Sequence, residues 1–418
     1  MRQVVISGMI GNALEWYGYA LYAQFAYIIG LKFLPQTEFV EIITFALFAA
    51  GFVVRPLGGI LFGQIGDRFG RKAALVIGIV MMAVPTAAIG LLPSYEAIGI
   101  AAPIILAIIR LTQGFSLGGE FSGCIAYIVE HSPAKHRGLA GSASFVSMCL
   151  GMLMGVGVAN LFTWSMSEQD LLDWGWRIPF ILGLLIGFVG LYIRLHLGES
   201  PIYKAAKEGG FLSSTPLRET LQKHWGKVLM AIAVYINVTA PFYTTTVFTK
   251  YYMQSLGYSE HQGSVACAVI LVSMSIMFPI SAYVSDRIGR KPVIIFASVL
   301  LILFMYPIFV ALSSMNYTIA ILSQIAFAAI VGIYMGPVPT LLVELFPTRV
   351  RFTGVALSYN LSAAIFGGTA PMVGAALYKY TGDQLALAYY LTGLAVFCLI
   401  IILFYKETYK NDLSADMV

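Results

Sequence analysis

Charge is scarce in this chain: Asp, Glu, Lys and Arg make up 11% of its 418 residues, roughly half the share of a soluble domain. The four cysteines, Cys124, Cys149, Cys267 and Cys398, form no C-x-x-C pair. Neither a disulfide framework nor a metal site is therefore expected, and small buried apolar residues are their expected role. The five histidines, His131, His136, His196, His224 and His261, fall in loops or near the ends of apolar stretches, which argues against a buried histidine proton relay. A P-loop lysine and an H-E-x-x-H helix are missing, so a catalytic reading has little to use. No cofactor and no ATP hydrolysis within this chain are expected. No cluster of basic and aromatic residues suggests nucleic acid.

Apolar residues are what the chain has in excess, at 59% with a mean hydropathy of +0.83. That much apolar surface cannot be hidden from water in a soluble fold. A window of about 19 residues finds twelve apolar stretches, near 5–31, 40–66, 73–92, 99–128, 139–163, 175–196, 227–254, 263–286, 291–312, 315–344, 354–378 and 385–405. Each reaches the roughly 20 residues needed to cross a bilayer. The expected fold is an all-α integral membrane protein of twelve transmembrane helices. Residues 1–196 would form one six-helix bundle, 197–226 a linker with a short amphipathic helix at 216–225, and 227–418 a second bundle with a short tail. The first stretch contains Glu15 and lacks a small-x-small cleavage site, so it should remain as a helix.

Nineteen of the 25 Lys and Arg residues fall on one side of this topology, the exceptions being Lys32, Arg55, Arg110, Arg177, Lys250 and Lys379. Positive residues of short loops stay cytoplasmic. Both termini and the linker should therefore face the cytoplasm, and the net charge of +5 reflects topology.

The chain also repeats itself. Gly63-Gln64-Ile65-Gly66-Asp67-Arg68-Phe69-Gly70-Arg71-Lys72 returns as Ser285-Asp286-Arg287-Ile288-Gly289-Arg290-Lys291, about half a chain later. Glu130, Pro133, Arg137 and Gly138 return as Glu344, Pro347, Arg351 and Gly354, and Glu199-Ser200 as Glu407-Thr408. Three charged motifs, each returning after 208 to 219 residues, describe two pseudo-symmetric halves.

Two six-span halves with G-x-x-G-D-R-x-G-R-K between spans 2 and 3 resemble the major facilitator superfamily. Finer motifs are similar to its metabolite:proton symporters, which take up proline and betaine, shikimate, α-ketoglutarate and citrate. These motifs are Gly11-Asn12-Ala13-Leu14-Glu15-Trp16-Tyr17, Arg55-Pro56-Leu57-Gly58-Gly59, Arg110-Leu111-Thr112-Gln113-Gly114 through Glu120, and Trp174 to Phe180. Ser358-Tyr359-Asn360 with Gly367 to Pro371 extends the match into the second half. The resemblance covers essentially the whole chain. It implies a proton-coupled symporter working by alternating access in a bacterial inner membrane, with a small organic acid or zwitterion and protons as its partners. Two departures stand out. The family pattern in span 1 reads Glu-Trp-Phe/Tyr-Asp, whereas Gly18 follows Tyr17 here, which removes a carboxylate associated with coupling. The osmosensing relatives carry a C-terminal coiled-coil extension that the tail after about 406 is too short to form.

Gly63 and Gly66 lack a Cβ and let a neighbouring helix approach the end of span 2. The resemblance makes that neighbour span 11, with Asp67 at the positive end of its dipole and Arg68 or Arg71 pairing with Asp67 or Glu130. Gly63, Gly66, Asp67, Arg68, Arg71, Glu130, Arg137, Asp286, Arg287, Arg290, Glu344 and Arg351 are the expected gating set, able to bias an inward–outward equilibrium by about 1–3 kcal/mol. The alternative for them is positive-inside topology plus turn chemistry.

Glu15, Arg55, Arg110 and Glu120 are charges inside spans, each costing at least about 2.5 kcal/mol at the bilayer centre unless paired or hydrated. They are the expected proton-coupling and transport residues; the alternative is a structural ion pair of an acid with Arg55 or Arg110. Trp16, Tyr19, Tyr27, Tyr235, Asn237, Tyr243, Tyr359 and Asn360 are the candidate substrate contacts, because aromatic faces can cage an alkylammonium and tyrosine hydroxyls can bond a carboxylate. Pro241, Pro279, Pro307, Pro337 and Pro339 would interrupt helical hydrogen bonds. An exporter or exchanger on the same scaffold is the competing reading, favoured by Gly18 and by the R-x-x-Q-G pattern at Arg110. A membrane receptor without flux would need a signalling tail. One chain contains a complete pathway, so a monomer suffices.

Overall fold

The computed structural model describes residues 2–35, 40–383 and 385–414, and these residues form helices joined by short turns, with no strand among them. The first six long helices are α1 (Arg2–Gln24, resuming as Ala26–Phe33), α2 (Val40–Arg68), α3 (Arg71–Leu91), α4 (Ala101–Glu130), α5 (Arg137–Ser165) and α6 (Arg177–His196). The second six are α7 (Trp225–Tyr243, continuing through a π-helical turn to Ser255), α8 (Glu260–Ile288), α9 (Arg290–Leu312), α10 (Tyr317–Met335 and Val338–Leu345), α11 (Arg351–Ser362, a π-helical turn, then Ala370–Thr381) and α12 (Ala386–Leu403). Between the sets lie two short helices, Pro201–Glu208 and Pro216–Lys223. By length and hydropathy alone, nine of the described helices could cross a membrane.

Local chemistry explains the boundaries. Gly70 (φ 113°) and Gly289 (φ 105°) begin α3 and α9 from the left-handed region, which a side chain would strain. This is why each D-R-x-G-R-K turn ends one helix and starts the next. Ser259 and Gln262 cap α8 reciprocally, at 3.2 and 2.9 Å, and the Asn316 side chain accepts the first free amides of α10.

The packing obeys the internal repeat. In the first set α2 lies on α4, α1 on α5 and α3 on α6; in the second, α8 lies on α10, α7 on α11 and α9 on α12. Across the sets α2 meets α11 and α5 meets α8. The α2–α4 crossing is backbone on backbone: a Cβ at Gly118 would overlap the Gly59 amide and the Arg55 carbonyl, and one at Gly114 would overlap Gly51. Such small-residue contacts are how helices associate where no water drives them together. Leu185, Phe188 and Tyr192 on α6, and Phe296, Leu303 and Phe404 near α9 and α12, are exposed on the outside, as a bilayer-facing surface requires. Aromatic residues of both sets share one buried core, with Trp16, Phe121 and Phe145 against Tyr235, Phe242, Tyr243 and Phe278.

Candidate functional site

At the end of the bundle that carries the repeated turns, two equivalent latches join the sets. The Asp67 carboxylate accepts the amides of Phe352 (3.1 Å) and Thr353 (2.9 Å), the first free N–H groups of α11, where the helix dipole favours an anion. Gly66 makes the approach possible, because a Cβ there would fall inside the Phe352 ring. Arg71 pairs with Asp67 (3.2 Å) and with Glu130 (3.1 Å), and Arg351 reaches across to Glu130 (2.9 Å). The second copy repeats the pattern. Asp286 accepts the amides of Gly138 (2.7 Å) and Leu139 (2.9 Å) at the start of α5, and Arg290 pairs with Asp286 (2.7 Å) and Glu344 (3.0 Å). Glu199 and Glu407 accept the amides that open α3 and α9, at Lys72 (3.1 Å) and Lys291 (2.8 Å).

The latches differ in one respect. Arg351 crosses to the opposite acid, whereas its counterpart Arg137 donates to the Asn411 carbonyl in the tail (2.8 Å). The tail also bonds its own set through the Leu413 carbonyl, which accepts Thr348 Oγ1 (3.0 Å) and Arg351 Nη2 (3.2 Å). The helix Pro216–Lys223 adds an ion pair from Glu219 to Arg349 (2.9 Å), and Tyr203 in the other linker helix donates to the Arg68 carbonyl (2.9 Å).

Midway along the bundle the sets enclose a small cavity walled by Trp16, Phe121, Phe145, Tyr235, Phe242, Tyr243 and Tyr359, among others. Its rings meet edge to face, Trp16 on Phe242 at 5.8 Å and Tyr235 on Tyr359 at 5.1 Å. Arg55 stands behind this wall, donating to the hydroxyls of Tyr243 (3.2 Å) and Tyr359. Glu15, on α1, is fully buried, and neither of its carboxylate oxygens has a hydrogen-bond partner. The charged groups near enough to act on it are Arg55, Glu120 and Arg194. Glu120 is held by both terminal nitrogens of Arg194, which also donates to the Leu75 carbonyl. A Cβ at Gly11, one turn before Glu15, would overlap this pair.

Arg110 lies elsewhere. It donates to Gln113 (2.7 Å), whose amide donates to Thr86 (2.9 Å), and it stacks 4.2 Å from the Tyr22 ring. A Cβ at Gly18 would stand 3.1 Å from the Thr86 hydroxyl, so the position of the family's aspartate faces this polar chain. Ser116 completes a G-x-S-x-G spacing from Gly114 to Gly118, but it lies inside α4 and its hydroxyl donates to the Gly78 carbonyl (2.8 Å). No strand-to-helix elbow exposes it.

The structure places six of the expected residues differently. Tyr27 lies beyond the break at Phe25 and is 70% exposed; the break rotates it off the face shared by Trp16 and Tyr19. Asn360 donates to the Gly118 carbonyl (2.7 Å), bracing α11 on α4, and Asn237 lies beside Tyr334; neither side chain lines the cavity. Arg68 and Arg287 are exposed and stack on Phe69 and Tyr283, outside the latches. Glu120 finds its partner in Arg194 rather than in Arg55 or Arg110. In the sequence Arg194 falls among the charges of the cytoplasmic side; its position inside an apolar stretch is the signal that singles it out. Glu120→Gln and Arg194→Met should each lower stability by about 3–5 kcal/mol, because each strands a buried charge, and the double variant should lose less than the sum. Melting of the purified variants in detergent measures this; single variants that melt with the parent would remove the pair from the account.

The chain matches the family model described as Major Facilitator Superfamily over residues 8–368 and again over 242–415. It is 36% identical to the glycine betaine/proline/ectoine/pipecolic acid transporter OusA of Dickeya dadantii, over 99% of this chain and 85% of that one. It is 34% identical to the proline/betaine transporter of Escherichia coli K12, with the same coverage. Among solved structures, that of the proton:xylose symporter XylE bound to 6-bromo-6-deoxy-D-glucose superposes with a TM-score of 0.80 at 19% identity, covering 97% of this chain and 96% of that one.

Proposed function

The chain belongs to the Major Facilitator Superfamily, and from that premise we propose that it is a proton-coupled symporter importing a small zwitterionic metabolite by alternating access. The observation that carries this reading is Glu15: a fully buried acid without a hydrogen-bond partner, beside a cation and a cavity between the two sets. An acid between a cation and a cavity that both sets wall can exchange its proton as the sets move. The zwitterion rests on the relatives, named for betaine, proline, ectoine and pipecolic acid, and on the aromatic wall.

In this reading residues 1–196 and 227–418 rock as two bodies about the cavity, joined by 197–226. The latched end faces the cytoplasm of a bacterium, together with both termini, as the Lys and Arg distribution supports. The described state is closed on that side, since Asp67, Asp286 and Arg351 all bond across the sets. One chain lines the whole pathway and acts as a monomer.

The reading is tested by counterflow. Proteoliposomes loaded with unlabelled glycine betaine, proline, xylose, citrate or a hydrophobic cation are diluted into labelled betaine. Betaine and proline should each drive transient uptake and the others should not. Exchange confined to sugars, tricarboxylates or cations would end the zwitterion reading, and a preference for hydrophobic cations would favour the exporter.

A further inference from the structure

Arg55 is a buried cation that stands apart from the two end latches and pairs with no described acid. It is 1% exposed, its two terminal nitrogens meet only the phenol oxygens of Tyr243 and Tyr359, and its Nε has no partner. Its guanidinium lies 5.2 Å from the ring centres of both Phe52 and Tyr359. Phenols offer dipoles but no compensating charge, and a guanidinium at this depth is stabilised chiefly by an anion that matches its planar fork. Tyr243 and Tyr359 are themselves cavity walls, so they are the layer separating Arg55 from whatever occupies the cavity.

We propose that Arg55 is the anchor for the substrate's carboxylate, exchanging its bonds to Tyr243 and Tyr359 for that anion, while Trp16, Tyr235 and Phe242 enclose the substrate's alkylated ammonium. This deepens the zwitterion reading above and rests on it. The substrate class is a compact monocarboxylate bearing a quaternary or ring secondary ammonium a few bonds away. A dicarboxylate fits poorly, because none of the residues lining the described cavity is a second cation. An ammonium without a carboxylate leaves Arg55 uncompensated. The same geometry links substrate to proton: Glu15 acts on Arg55, so an ionised Glu15 competes with the substrate for the guanidinium, and a protonated Glu15 leaves it free. Proton and carboxylate then load together, which is the condition for symport.

The test compares binding of glycine betaine and of choline, which keeps the trimethylammonium but lacks the carboxylate, to the purified full chain by Trp fluorescence and calorimetry. The parent should bind betaine at least about 30-fold more tightly than choline, as the loss of one member of a buried charge pair predicts. Arg55→Gln should erase that preference while choline affinity stays within about 3-fold, and Arg55→Lys should restore part of it. A parent that binds choline as tightly as betaine overturns the anchor without needing any variant to fold. Betaine preference persisting in Arg55→Gln overturns it too, as does equal loss of both ligands in Arg55→Gln and Arg55→Lys. A parent that binds neither ligand but does bind a sugar or a citrate overturns the zwitterion reading itself.

Discussion

Glu15→Gln should abolish accumulation of substrate against its gradient while leaving exchange intact. The substitution is nearly isosteric and removes no hydrogen bond, since neither Glu15 oxygen has a partner. Folding should therefore survive. What changes is that position 15 can no longer gain or lose a proton, and the uncharged amide mimics the loaded state beside Arg55, Glu120 and Arg194. With one coupled proton, a gradient of one pH unit supports about tenfold accumulation, equivalent to about 1.4 kcal/mol. The variant should accumulate nothing, its internal substrate only equalling the external, yet counterflow should proceed within a few-fold of the parent. Exchange that outlives accumulation separates a coupling residue from a structural one. Undiminished accumulation in Glu15→Gln would remove Glu15 from the proton path, and Gly18→Asp would then be the variant with which to examine the polar chain of Arg110, Gln113 and Thr86.

Asp67→Ala should open the latched end. Asp67 makes two charge-assisted bonds to amides of the opposite set, each worth about 1.5–3 kcal/mol. Its pairing with Arg71 lies within its own set and is available in either state. The cross-set bonds exist only when the sets meet, so their loss is felt by the closed state alone. A loss of about 3–5 kcal/mol approaches the roughly 5.5 kcal/mol that carries an equilibrium from 99:1 to 1:99. Arg351→Gln, which removes the pair with Glu130 and the bond to the Leu413 carbonyl, should act in the same direction. Spin labels at Arg68 and Arg287, exposed and outside both latches, report the separation of the sets. The parent should give mainly the short distance and Asp67→Ala mainly a longer one. An unchanged distribution would mean that the latch does not set the equilibrium.

The charged pair within each turn was legible in the sequence because it is encoded locally and twice, whereas the approach of Asp67 to α11 was implied by the family resemblance alone. An acid four residues before an arginine, with a glycine between them that can take a positive φ, is readable at Asp67-Arg71 and again at Asp286-Arg290. The long helices were legible for a similar reason, since each apolar stretch is as long as a bilayer is thick. What a linear pattern cannot carry is rotation about a helix axis after a break. The interruption at Phe25 turned Tyr27 outward, and the π-helical turns after Tyr243 and Ser362 likewise leave no period in the sequence. Partners distant in sequence were equally hidden. Glu120 and Arg194 meet because α4 and α6 both flank α3, a fact of packing rather than of spacing. The tail's bonds to Arg137, Thr348 and Arg351 run through its carbonyls, which no side chain announces.

In the proposed function, protons drive the movement of a zwitterion through this chain. Its most direct measurement is uptake of labelled glycine betaine into proteoliposomes holding the purified protein, with the interior made one pH unit more alkaline than the outside. Accumulation approaching tenfold, collapsing to equality on adding a protonophore and accompanied by alkalinisation of the external medium, is the predicted result. Uptake that only equilibrates, or that proceeds unchanged without the gradient, would contradict it.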